Sequence, residues 1–144
     1  MASVGTYLNF NGNTETAFQF YRAVFQSEFR GPIARLGEVP AMPGQPPLSD
    51  ADKDLVMNVT LPILAGHLLM GTDAHPAMGK VSFGNNSHIM LAPDTRADAD
   101  RLFAALAEGG KVEMPLQDMF WGDYFGNLTD KFGVQWMVNC SAKE

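Results

Sequence analysis

"TYLNFNGNTETAFQFYRAVF", residues 6–25, decides the fold because two periodicities meet within it. Thr6 to Phe10 is aromatic and apolar, and the turn cluster "NGN" follows, which reads as a strand that stops. Asn13 stands where a helix N-cap would, and Glu15 in the first turn favours the positive end of the helix dipole. Ala17, Phe18, Tyr21, Val24 and Phe25 then recur at three- and four-residue spacing, which predicts a helix over Thr14 to Phe25 with one apolar face.

The residues downstream extend this into a unit. "SEFRGPIARL", residues 27–36, reads as a strand kinked at Gly31-Pro32. Gly37 to Asp54 carries Pro40, Pro43, Pro46 and Pro47 and reads as a long loop, a kind of segment that is usually mobile or functional. "LVMNVTLPIL" (Leu55 to Leu64) and "HLLMGT" (His67 to Thr72) read as an antiparallel pair about Ala65-Gly66. Asp73 to Ser87 is rich in Gly, Asn and Pro and reads as a linker.

The pattern then restarts. "HIMLA" (His88 to Ala92) is a strand, Asp94 a candidate N-cap, and Arg96 and Asp100 are spaced to pair along a helix. Ala99, Leu102, Phe103 and Leu106 form one apolar stripe, and Gly109-Gly110 ends the helix. "KVEMPLQD", "YFGNLT" and "VQWMVN" complete three strands. Phe18, Tyr21 and Phe25 correspond to Ala99, Leu102 and Leu106, and Asn13 to Asp94. Strand–helix–three strands occurs twice: an α+β chain of two tandem βαβββ modules, about 4–73 and about 88–140, in one domain spanning residues 1–144.

Composition narrows the function classes. Apolar residues make up 46% and charged residues 18%, with a net charge of −6, which fits a compact chain and leaves no basic stripe for nucleic acid. Cys140 is the only cysteine, so no intrachain disulfide can form. "MASVGTYLNF" shows no secretory signal and no apolar run nears the length of a membrane span, so the expected location is cytoplasmic, without a membrane partner.

"YLNFNGNTETAFQFYRAVF", "LPILAGHLLMGTD" and "ADRLFAALAEGGKVEMPLQDMFWGDYFGNLTDKFGVQWMVN" together resemble the PhnB-like branch of the vicinal-oxygen-chelate superfamily. That superfamily includes glyoxalase I, extradiol dioxygenases and bleomycin-resistance proteins, and the branch is often labelled 3-demethylubiquinone-9 3-methyltransferase-like. The resemblance implies paired half-barrels enclosing a central cleft for a small molecule, and a homodimer. The label's cofactor is not expected, because no Gly-rich loop follows a first strand to hold a nucleoside. The resemblance further implies a divalent-metal site on the first and last strand of each module. Those positions fall on Thr6, Met70 or Gly71, His88 and Met137, and only His88 is a competent ligand for such ions. The expectation is therefore no metal and no cofactor.

Several residues carry a functional reading beside a plainer one. His88 serves as a pocket acid, base or ligand, or as a strand-end histidine bonded to backbone. Asp118 is a general base or a turn cap. Trp121, Tyr124 and Phe125, beside Gly122 and Gly126, form an aromatic lip over a ligand, or else a core cluster or dimer contact. Met70 and Trp136 line the cleft or fill the core. The methionines of the strands suit a pliable apolar ligand or a shallow core. Cys140 reads as structural. The leading expectation is a metal-free small-molecule binding protein. The alternative is a metal-dependent lyase, isomerase or dioxygenase with a displaced site at His88, helped by His67, Asp73, His75 or Asp118.

Overall fold

The structure, a computed structural model, describes residues 1–40 and 43–142. The chain divides into two compact units, Met1–Val81 and Ser82–Glu144.

In the first unit, β1 (Thr6–Phe10) leads into α1 (Thr14–Phe25), then β2 (Ala34–Arg35), a single turn α2 (Asp50–Lys53), β3 (Val56–Pro62) and β4 (Leu68–Asp73). The sheet order is β1-β4-β3-β2, with β1 parallel to β4 and the other neighbours antiparallel. The expected strand over 27–36 shrinks to Ala34–Arg35. Gly31 takes a φ of 76°, and Pro32 has no N–H to give a ladder. The Pro-rich segment is not loop throughout, since α2 and a 3₁₀ turn at Leu36–Glu38 lie at its ends; its residues 41 and 42 are outside the described residues. Positive φ at Ala65 (56°) and Gly66 (78°) turns β3 into β4 where the sequence placed the hairpin.

α1 packs on β3 and β4. Its stripe Ala17, Phe18, Tyr21 and Val24 is buried, and Phe18 stands edge-on to Phe10 and Tyr21 at 6.4 and 5.5 Å between ring centres. Gly71 makes this approach possible: a Cβ there would lie 2.5 Å from Phe18 Cε1.

In the second unit, β5 (Ile89–Leu91), α3 (Arg96–Ala107), β6 (Lys111–Asp118), β7 (Tyr124–Thr129) and β8 (Gln135–Cys140) repeat the plan, in order β5-β8-β7-β6. β5 is parallel to β8, and the β6–β7–β8 meander is antiparallel with two register breaks in β6. The N-cap is Thr95, whose hydroxyl accepts from Asp98 N at 3.1 Å, and not Asp94. Leu102 and Leu106 are buried against β6, β7 and β8. Among the described residues, each unit thus holds one four-stranded mixed sheet.

Candidate functional site

Each sheet has one face under its helix and one face free of it. Strand alternation sorts the side chains between the two. In β8, Trp136, Val138 and Cys140 are buried on the helix side, and Gln135, Met137 and Asn139 point the other way. Ladder pairing carries this across the sheet. Met90 stands opposite Met137, Met137 opposite Asn127, and Asn127 opposite Met114, so the four form one row across the helix-free face. His88, one residue before β5, falls on the side of Met90, whose side chain is exposed. Phe125 lies opposite Asn139 on the same face. Trp121 packs against Phe125 at 5.9 Å and Phe120 against Trp121 at 5.0 Å, which extends that face into the β6–β7 turn. Phe120 is almost fully exposed.

The sequence candidates therefore separate. His88, Phe125 and Trp121 share the helix-free side of the second unit. Tyr124 and Trp136 do not. Tyr124 pairs with Cys140 on the helix side; its hydroxyl donates to Asp100 Oδ1 at 2.6 Å and its ring lies 4.4 Å beneath the Arg96 guanidinium. The bond to Asp100, then burial, raises the Tyr124 pKa above its ordinary 10.0. Trp136 is fully buried and donates Nε1–H to Asp130 Oδ2 at 2.8 Å. Asp118 is the ion-pair partner of Arg96, which replaces the expected Arg96–Asp100 pair and holds the Arg96 pKa raised. Arg96 also donates Nε–H to Ala142 O at 3.1 Å. This cluster binds the helix start, the end of β6 and the chain's last described residues together; it is a structural clasp.

In the first unit, Met70 lies on the helix-free face in a row with Tyr7 and Thr60, near Asn9, Thr72 and Asn58. That face is richer in hydroxyls and amides than its counterpart. Thr6 and Gly71 are on the helix side: Thr6 sits opposite buried Leu69, with its hydroxyl 2.9 Å from His67 Nε2, and Gly71 is under Phe18. Asp73 is buried and fully engaged. Oδ1 accepts from Gly12 N, Thr14 N and Thr14 Oγ1, and Oδ2 accepts from Val56 N, at 2.6 to 3.1 Å. His75 Nδ1 accepts from Ala77 N. The Pro-rich segment bounds a hollow of about 820 Å³ in this unit, walled by Leu36, Val39, Pro40, Pro46, Pro47 and His75.

Among the described residues, no three His, Cys, Asp or Glu side chains gather in a group that could hold a metal ion. No helix among them is long and apolar enough to cross a membrane. Sequence reading missed Asn127 and Asn139 as residues of the helix-free face, whereas Met90 was among the strand methionines it set against an apolar ligand. Strict alternation along "YFGNLT" puts Asn127 with Phe125 and would have found the first of them.

Residues 4–138 match the profile of the Glyoxalase/Bleomycin resistance protein/Dioxygenase superfamily. Protein YjdN of Escherichia coli (strain K12) is 34% identical over 142 residues, covering 92% of this chain and 91% of its own length. The crystal structure of protein PA1353 from Pseudomonas aeruginosa has 38% identity and a TM-score of 0.83, over 99% of this chain and all of that one. A PhnB protein of Bacillus cereus, labelled a 3-demethylubiquinone-9 3-methyltransferase, has 29% identity and a TM-score of 0.75 over 96% of this chain and 99% of its own.

Proposed function

The chain belongs to the glyoxalase/bleomycin resistance protein/dioxygenase superfamily, and on that premise we propose that it is a metal-free small-molecule binding protein. The ligand lies on the helix-free face of the second unit, against Met90, Met137 and Phe125, with His88 at one end and Trp121 at the other. The observation that carries this reading is the residue type in that row. Unbranched thioethers on a half-exposed sheet face adapt to an apolar body without demanding one shape. Met70 is proposed separately, as a ligand contact on the helix-free face of the first unit by itself. Tyr124 and Trp136 act on the site only through the sheet that they brace.

The residues do not fit the divalent metal of the superfamily's enzymes. Met70 and Met137 are thioethers, weak ligands for hard and borderline cations, and Thr6 is turned to the helix side. Asp73 and Asp118, the carboxylates that a displaced site would draw on, are committed to backbone N–H groups and to Arg96. The methyltransferase label of the Bacillus relative does not transfer, since no loop in this sequence resembles a nucleoside-cofactor cradle. A cytoplasmic homodimer completes the proposal, with exposed Phe120 and Trp121 at the β6–β7 turn as the apolar surface that favours self-association.

Calorimetric titration with a library of small aromatic and aliphatic compounds tests the reading. The expected result is saturable binding that Met137→Lys abolishes while the fold persists. Failure of every compound to bind overturns it. So does stoichiometric zinc, nickel, iron or manganese in protein purified without chelators and lost on His88→Ala, which would establish the displaced metal site.

A further inference from the structure

Asn127 is the one polar side chain in the row Met90–Met137–Asn127–Met114. Its Oδ1 is buried and has no hydrogen-bond partner among the described residues. Its neighbours across the sheet, Met137 on β8 and Met114 on β6, offer no N–H or O–H from their side chains. An amide oxygen withdrawn from water without a donor costs the desolvation of that oxygen, and native proteins rarely tolerate this without a use. The nearby amides are directed elsewhere and neither bonds to Asn127 Oδ1: Asn139 Nδ2 donates to Asp123 Oδ2 at 3.0 Å, and Gln135 Nε2 to Ser87 O at 2.7 Å. Thr129 is engaged with Glu113. The acceptor at the middle of the methionine row is thus left for a group from outside the chain.

We propose that Asn127 is the specificity-determining residue of this face and that the ligand is an apolar molecule carrying one neutral hydrogen-bond donor, a hydroxyl or amide N–H, directed at Asn127 Oδ1. The inference rests on the binding role proposed for this face and adds the chemistry of what is bound. Hydrocarbon contact with the thioethers supplies adhesion. The lone acceptor supplies discrimination, because a ligand without a donor leaves the oxygen desolvated and unpaired, and a ligand with a second acceptor at that point sets two lone pairs against each other. A carboxylate ligand is disfavoured for the same reason, and no cation belongs to the row to compensate it.

Phenol, anisole and acetophenone are matched probes, since they share a ring and differ in offering a donor or only an acceptor. Each is titrated into protein with ¹³C-labelled methionine methyls, observed by NMR. Phenol is expected to shift the methyl signals of Met90, Met114 and Met137 and to bind about tenfold more tightly than anisole or acetophenone, the size of effect set by one buried hydrogen bond. Asn127→Leu, of similar volume and without the acceptor, should bring the three probes within about twofold of each other. Equal binding of the three probes to the unaltered protein overturns the inference and leaves the binding role of the face intact. So does a phenol preference that survives Asn127→Leu. If no probe shifts the three methyls at millimolar concentration, the face does not bind such molecules and both proposals fall. If Asn127→Leu does not fold, Asn127→Val, which also lacks the acceptor and suits a strand, is read in the same way.

Discussion

The two units repeat one plan, yet each spends its buried carboxylate differently. In the first unit Asp73, at the end of β4, reaches to the start of α1 and accepts four hydrogen bonds, three from Gly12 and Thr14 and one from Val56 N. It is a helix cap supplied from a remote strand, placed where the helix dipole favours an anion. In the second unit α3 is capped locally by Thr95. The buried carboxylate there, Asp130, closes the β7–β8 turn by accepting from Phe132 N and Val134 N and fixes Trp136 through its indole N–H. The first unit ties helix to sheet with a charge, and the second ties strand to strand. A repeated fold can move a buried carboxylate from one joint to another while keeping the same elements.

The sharpest way to break the comparison is Asp73→Ala. It leaves four donors without their acceptor in the first unit and should cost about 4 kcal/mol in urea unfolding. A loss under about 1 kcal/mol would mean that water replaces the carboxylate and that α1 is held by packing alone. Asp130→Ala removes three donors' acceptor and should cost about 3 kcal/mol, with a red shift of tryptophan emission as Trp136 loosens.

A pair of milder variants separates the two capping modes. Thr95→Ala should cost about 1 kcal/mol, as loss of a side-chain N-cap usually does. Asn13→Ala, at the matching position, should cost less than about 0.5 kcal/mol, because the Asn13 side chain makes no cap bond. Equal losses would show that the two helix starts are alike after all.

The smallest effect concerns the Arg35–Glu15 ion pair of the first unit, at 2.8 Å and partly exposed. The hydrogen bond from Arg35 lowers the Glu15 pKa below its ordinary 4.5. A lowered carboxylate pKa stabilises above the ordinary value and loses that contribution as pH falls through the lowered one. Arg35→Ala should therefore cost roughly 0.5 kcal/mol at neutral pH after solvent screening, and less once Glu15 is protonated in the folded protein, when the Arg35 Nη1 bond to Asp54 O still counts. Unfolding curves for both proteins across the acid range check it.

The same contrast explains what the sequence could reveal. Thr6–Phe10, Thr14–Phe25, Lys111–Asp118 and Tyr124–Thr129 were legible because periodicity is local and each run ends at Gly, Asn or a turn. The cap on α1 was not, because Asn13 is the right residue in the right place and loses to a carboxylate sixty residues away in the chain, brought there by β4. The Arg96–Asp100 pairing failed likewise: helical spacing allowed it, but the sheet carried Asp118 to Arg96. Trp136 and Met137 are neighbours in "GVQWMV", and a strand with apolar residues at both parities does not announce which parity meets the helix. One residue of phase therefore decides whether the tryptophan or the methionine could meet a ligand.

β6 is the outermost strand of its sheet and nearly all of its length is exposed. A flat, regular border of that length would template the addition of a further strand from a second molecule and so begin a fibril. Pro115 brings no N–H to the ladder, the two register breaks spoil the flatness, and Lys111, Glu113 and Asp118 place charges along the strand. The irregularity and charge of β6 thus work against fibril growth, and Pro115→Val would weaken that protection while leaving the charges and the break between Val112 and Met114 in place.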